Sequence, residues 1–388
     1  MVADFSSLEP RRLLAASATL SGTTLTITGT TGADAITVGV SGSNLTVKLS
    51  SSSTKTFTSS KVSLIKASLD NGNDTFTASD SVTKKINLSG GEGNDTLRGG
   101  GAADSLNGNG GNDKLVESKG DDIVSGGSGT DTADYSASTV AVRVSLDNTA
   151  NDGASGAFDN VLDDVENVNG GSGNDTFVSS AAKNLFYGNG GNDSLDVDLG
   201  TLDSRSSLNA DTFYGGSGND YYYVDTQNAS FIGGDGNDSA FQSTLAYYVA
   251  DPILNGEGGD DTLQLNNGGT ANGGSGNDTL YGYGSTLYGG SGDDDVNGVE
   301  YSYVFGDDGD DDVSGGFDCY LDGGLGRDVV ESFDRATLIG GDGRDIFYAA
   351  VGSSIIADEG VADRINLYGT ADQYTLFTDN FDKLYRVT

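Results

Sequence analysis

GGEGNDTLRGGGAADSLNGNGGNDKLVESKGDDIVSGGSGTD, residues 90–131, places an aspartate at 95, 104, 113, 122 and 131, nine residues apart each time. With each unit numbered so that the aspartate is sixth, Gly90, Gly91 and Gly93 hold positions one, two and four, and Leu97 holds position eight. Gly126-Gly127-Ser128-Gly129-Thr130-Asp131 keeps the phase, while Ala102 and Asn109 are small replacements for glycine. Glycine is needed where φ is positive or two backbones approach closely, so the first six residues favour a tight turn. Asn at position five tolerates such conformations better than most residues. The next three residues, carrying Leu97, Leu106, Leu115 or Val124, suit a very short strand. Turn, strand, turn, strand makes one coil of eighteen residues.

One such coil cannot hold itself together. Fixing its backbone costs roughly 18–36 kcal/mol, whereas burying two aliphatic side chains returns about 3–6 kcal/mol. Stacking supplies parallel-strand hydrogen bonds and an apolar column, but the turns still bring carboxylates together. Ca²⁺ resolves that conflict, because it accepts carboxylate and carbonyl oxygens in flexible shells and glycine-rich turns leave carbonyls unscreened. Aspartates one coil apart, such as Asp95 and Asp113, are expected about 4.8 Å apart, close enough to share one ion.

These units match the nonapeptide GGxGxDxUx, and the chain resembles the repeats-in-toxin (RTX) proteins. The resemblance implies a calcium-filled parallel β-roll, with several ions held between coils by position-six aspartates and turn carbonyls. It extends to GGSGNDTF with Asp175, GNGGNDSL with Asp193, GGSGNDYY with Asp220, GGDGNDSA with Asp238, GEGGDDTL with Asp261 and GGSGNDTL with Asp278. GGSGDDDV, GDDGDDDV, GGLGRDVV and GGDGRDIF add Asp294, Asp311, Asp328 and Asp345. The expected ligands are therefore Asp95, Asp104, Asp113, Asp122, Asp131 and these ten.

Spacing predicts the architecture: an all-β parallel β-roll, or β-solenoid, of stacked 16–18-residue coils. The nine-residue step puts 95, 113 and 131 on one edge and 104 and 122 on the other. From Asp261 the steps are 17, 16, 17, 17 and 17, so one calcium-type turn remains per coil. The other edge instead shows a short strand before each glycine pair, as in Ser285–Tyr288, Ser302–Phe305, Cys319–Asp322 and Ala336–Ile339. Lone Cys319 reads as a small strand side chain. We divide the chain into a targeting segment (1–16), an N-terminal β cap (17–88) with degenerate turns around Asp34 and Asp74, two-edged repeats (89–133), an insert (134–169), the main roll (170–365) and a C-terminal cap (366–388). The insert resembles the DYS…VSL…ENV segment found between RTX blocks and is expected to add a strand pair and loop. Leu8, Glu9, Pro10, Arg11, Leu13 and Leu14 resemble the LEPR-XLL segment of exported planctomycete proteins.

Composition narrows function. Of 388 residues 61 are Gly, none is His or Trp, and 58 acidic residues against 20 basic give a formal charge of −38. Self-repulsion on that scale opposes a compact state unless cations offset it, and nucleic acid is a poor partner for such a surface. Without histidine the usual base of Ser and Cys hydrolases and the ligands of HExxH zinc sites are missing. No apolar run is long enough for a membrane-spanning helix. The basic residues are scattered, with Arg327, Arg344 and Arg364 beside repeat positions, so the reading is non-enzymatic; a calcium-dependent polysaccharide lyase or glycosidase is the alternative. Eighteen tyrosines are read first as β-formers filling the roll, and second as an exposed ladder for envelope or matrix glycans. The sequence thus describes an exported or cell-surface calcium-binding protein with a structural or adhesive role.

Overall fold

Strand Thr24–Thr28 alternates buried Leu25 and Ile27 with outward threonines, and Lys85–Glu92 does the same with Ile86 and Leu88. Each strand therefore buries one side of its pleat. The computed structural model describes residues 15–49, 53–180, 182–196, 210–224, 229–242, 251–357, 362–369, 373–378 and 382–386. Contacts divide the chain into two units, residues 1–171 and 172–388.

In the first unit two parallel sheets share one core. Thr24–Thr28, Leu64–Asn71, Lys85–Glu92, Ser105–Gly110 and Ile123–Ser128 stack in register in one sheet. Ala35–Ser41, Thr75–Ala78, Thr96–Arg98, Lys114–Val116 and Thr132–Asp134 stack in the other. Coiling thus begins within residues 17–88, where antiparallel strands cover its start: Ser17–Ser21 lies on Thr24–Thr28, while Asn44–Leu49 and Ser53–Thr58 extend Ala35–Ser41. The Lys55 ammonium donates to the Ala18 carbonyl (2.9 Å), placing a charge on the outermost strand, where it discourages edge pairing. In the insert, Val142–Ser145 pairs antiparallel with Gly153–Ala154, after which Asn160–Val161 returns beside Ile123–Val124 and Asn167–Asn169 beside Thr132–Asp134.

The second unit repeats the design. One sheet runs from Leu185–Gly190 through Thr212–Ser217, Ser230–Asp235, Ile253–Gly258, Thr270–Ser275, Thr286–Ser291, Tyr303–Asp308 and Tyr320–Gly326 to Thr337–Gly343, all parallel. The facing sheet includes Thr262–Leu265, Thr279–Tyr283, Asp295–Val299, Asp312–Gly315 and Val329–Ser332. Leu287, Val304, Leu321 and Leu338 form one fully buried column and Leu280, Val296, Val313 and Val330 the opposing one. Burying each such side chain contributes about 1.5–3 kcal/mol, so stability accrues coil by coil. Steps between equivalent aspartates are 16 to 18 residues over most of this unit, but 27 from Asp193 to Asp220 and 23 from Asp238 to Asp261.

The tyrosines largely do not fill the roll. Tyr222 and Tyr135 are buried, whereas Tyr214, Tyr221, Tyr281, Tyr283, Tyr288, Tyr301, Tyr303, Tyr368 and Tyr385 are exposed. In TLYGG the Leu287 side chain points inward, so two-residue alternation sends Tyr288 outward. Among the described residues no helix is long and apolar enough to cross a membrane. Tyr247, Tyr248 and the Leu8–Leu14 motif lie outside the described residues.

Candidate metal centre

The turns bring the sixth-position aspartates into ladders. Asp34, Asp74, Asp95 and Asp113 each donate a backbone N–H to Oδ1 of the next aspartate in the series, Asp74, Asp95, Asp113 and Asp131, at 2.7–2.8 Å. The first ladder ends where Asp131 N–H meets the Glu166 carboxylate at 2.8 Å. In the second unit the same bond links Asp175 to Asp193 and each following aspartate to the next: Asp220, Asp238, Asp261, Asp278, Asp294, Asp311, Asp328, Asp345 and Asp363, at 2.7–2.9 Å. Position five forms a second ladder in the opposite direction, with Asn112 N–H bonding Asn94 Oδ1 and Thr130 N–H bonding Asn112 Oδ1. Adjacent residues thus clip one turn both forward and backward.

The other carboxylate oxygen is what distinguishes these turns. Among the described residues Oδ2 of Asp95, Asp113, Asp131, Asp193, Asp220, Asp238, Asp261, Asp278, Asp294, Asp311 and Asp328 has no hydrogen-bond partner, and each of these aspartates is at most 3% exposed. A glycine stands at position one of every one of these turns. A Cβ built on Gly323 would lie 2.5 Å from Asp328 Oδ2 and 2.5 Å from the Gly340 carbonyl oxygen; one on Gly90 would collide with Asp95 Oδ2 and lie 2.8 Å from the Gly108 oxygen. The missing side chain leaves a cradle between coils, onto which a carboxylate and a carbonyl oxygen converge. Gly323 has no left-handed φ, so space rather than backbone conformation calls for glycine here. Position two is different: Asn109, Asn189, Glu257 and Asp307 occupy it with φ of 71–77°, so a side chain is accommodated.

A buried carboxylate with one unsatisfied oxygen is costly. Burial is the main cause that pushes these groups upward, to about 6 at Asp131 and Asp238, about 7 at Asp95, Asp220, Asp261, Asp294, Asp311 and Asp328, and about 8 at Asp193. The N–H bond to Oδ1 opposes the rise, and neighbouring charges, such as Asp294 beside Asp311, add to it. A cation or a proton relieves this penalty. Oxygen-only donors in a space with no Cβ suit a hard divalent ion, so the residues fit calcium.

The opposite edge is built differently. Asp104 Oδ1 accepts Ile86 N–H (2.7 Å) and its Oδ2 accepts Gly100 N–H (2.6 Å). Asp122 Oδ1 accepts Asp104 N–H (2.8 Å) and its Oδ2 the Ser118 hydroxyl (2.6 Å). Both aspartates stand in a column, as the nine-residue step implies, but protein donors satisfy both of their oxygens. In the second unit the corresponding positions pass from Asn184 and Asp211 to Ala229, Pro252, Gly269, Ser285, Ser302, Cys319, Ala336 and Ser353, each offering a carbonyl to the next coil. Cys319 is a small buried side chain whose thiol faces the Gly298 carbonyl.

Asp34 and Asp74 belong to the same ladder as Asp95, although neither stands at a nine-residue interval from it. Thr30 N–H satisfies Asp34 Oδ2; Asp74 Oδ2 is buried with no hydrogen-bond partner among the described residues, like those above, but Leu69 stands at position one of its turn, so no glycine opens the space beside it. Glu166 and Asp159 escape the repeat phase altogether. They come from the insert, where Asp159 Oδ1 accepts Asp122 N–H (2.8 Å) and Glu166 serves Asp131. At Asp311 the two oxygens differ: Oδ1 accepts Asp294 N–H (2.9 Å), whereas Oδ2 has no hydrogen-bond partner among the described residues.

Fold and site together define a parallel β-roll with a repeated oxygen-lined cradle along one edge of each unit. A family model described as RTX calcium-binding nonapeptide repeat (4 copies) matches residues 87–115, 118–134, 167–201, 208–231, 266–286 and 337–356. Calcium-binding RTX repeats are therefore present, in segments that together cover less than half of the chain. No curated protein matches the chain.

Proposed function

We propose that this chain is an exported or cell-surface protein that binds several calcium ions along one edge of each unit, folds as it takes them up, and serves a structural or adhesive role. The observation that carries the reading is the buried, unpartnered Oδ2 beside a position-one glycine, repeated coil after coil. Asp95, Asp113 and Asp131 would hold ions in the first unit. Asp193, Asp220, Asp238, Asp261, Asp278, Asp294, Asp311 and Asp328 would do so in the second, with Asp175 and Asp345 at the same turn position. Bound calcium supplies positive charge between coils that hydrogen bonds alone leave too acidic. Asp104 and Asp122, satisfied by the chain itself, act as structural links.

Extracellular calcium modules bind at about 10⁻⁴ to 10⁻³ M, matching concentrations outside cells and far above those in cytosol. Calorimetric titration tests the assignment. Asp311→Asn should lower the number of bound ions by about one, since only Oδ2 is available, and Mg²⁺ should replace Ca²⁺ poorly because it demands stricter geometry. Equal stoichiometry in wild type and variant would overturn it.

A further inference from the structure

We propose that the outer face of strands Thr286–Ser291, Tyr303–Asp308 and Tyr320–Gly326 binds an arginine side chain from a basic protein segment. Strand register sets Tyr288 beside Phe305, Phe305 beside Asp322, and Tyr303 beside Tyr320. Tyr288 and Phe305 stack at 5.0 Å and 10°, Phe305 and Tyr320 meet at 5.7 Å, and Tyr303 is splayed 36° from Tyr320. Tyr303 is 57% exposed, and the ring beside it is that of Tyr320, 6.1 Å away. The Tyr320 hydroxyl donates to Asp322 Oδ2 (3.3 Å), and Asp307 follows Phe305 by two residues on the same strand. Register sets Asp322 beside Phe305 and Asp307 beside Gly324, two residues further along the same strand pair. Among the described residues neither Asp307 nor Asp322 forms an ion pair.

The molecule contains the complete arrangement elsewhere. Arg335 lies 4.8 Å from the Phe317 ring centre while its Nε and Nη2 donate to the two oxygens of Asp318, both at 2.6 Å. Ring, carboxylate and guanidinium form one unit there; the Tyr303 face has the first two. A planar guanidinium gains from the ring and from the carboxylate together, which a compact ammonium does less well. An acidic saccharide is repelled by a chain of formal charge −38, and a neutral one gains little from the carboxylates. Mutual stacking of Tyr288 and Phe305 also hides ring faces that a sugar would need.

The site borders the calcium ladder, with Asp307 at position two of the Asp311 turn and Asp322 next to Gly323, so the test holds calcium saturating throughout and requires an unchanged ion count in each variant. Binding of a labelled tetra-arginine peptide is followed by fluorescence anisotropy at about 0.15 M salt, where long-range attraction is screened. Tyr303→Thr, which leaves the charge unchanged, should weaken binding about two- to fivefold. Asp322→Asn should weaken it about three- to tenfold and carries the test if Tyr303→Thr fails to fold. Tyr281→Thr is the control, since that exposed tyrosine has Gln264 and Asn297 as strand neighbours; it should bind as wild type, and tetra-lysine should bind less tightly. Unchanged affinity in Asp322→Asn would mean non-specific attraction, and tighter binding of a neutral oligosaccharide would assign the face to sugar. Either result overturns the proposal.

Discussion

Replacing Gly323 with alanine adds one methyl group where the cradle is tightest. Its Cβ would lie 2.5 Å from both Asp328 Oδ2 and the Gly340 carbonyl oxygen, against 3.4 Å and beyond for ordinary contact. The backbone is not in the left-handed region, so the damage falls on the space between coils. Overpacking of this kind costs about 1–3 kcal/mol. Loss of one ion adds to that: with a site dissociation constant of about 10⁻⁴ to 10⁻³ M and about 10 mM free Ca²⁺, binding contributes about 1.4–2.7 kcal/mol. Urea denaturation should thus show a deficit of about 2–6 kcal/mol at that concentration, shrinking as calcium is lowered. Calorimetry should count about one ion fewer. A full complement of ions, with a deficit independent of calcium, would show that the position-one glycine serves backbone packing alone and would refute the cradle.

Three further outcomes follow from the same geometry. Asp104→Asn should leave the calcium count unchanged while lowering stability by about 1–2 kcal/mol, because its carboxylate already accepts two backbone N–H groups; loss of an ion in calorimetry would place metal on both edges. Glu166→Ala should cost about 1–3 kcal/mol by orphaning the buried Asp131 N–H, measured as a lower urea midpoint in saturating calcium. Acid should partly replace calcium. The ladder aspartates rise from 3.8 to about 6–8 in the fold, so the folded chain binds more protons than the unfolded one between these values. Stability without metal therefore falls as pH rises from about 4 to 8, and acidifying the chelated protein should increase its far-ultraviolet β signal; a flat response contradicts this.

Much of the ladder is legible in the sequence because a fixed step in a stacked fold becomes a fixed column. Asp95, Asp113 and Asp131 align for that reason, and Leu97 and Leu115 fall inside for the same one. Which carboxylates keep an oxygen free is not legible from the aspartates, since it depends on their neighbours. Ser118 fills the partner role at Asp122, and its hydroxyl also lies where a Cβ on Gly99 would point. One signal was available: Glu117 stands at position one of the Asp122 turn, where the open cradles have glycine. The tyrosines show the converse, because composition suggested a filled interior while alternation in LYG and VFG placed the aromatic rings outside. Glu166 could not be found by spacing, since the insert returns to the ladder by a path with no repeat of its own.

The claim that calcium completes this fold is tested most directly by circular dichroism of the purified chain at pH about 8, in excess chelator and then through a calcium titration. With a formal charge of −38 and buried carboxylates left unneutralised, the chelated protein should lack most of its β signal, and millimolar Ca²⁺ should restore it cooperatively, since coils depend on their neighbours for burial. A complete β spectrum in chelator, unchanged by added calcium, would contradict the account.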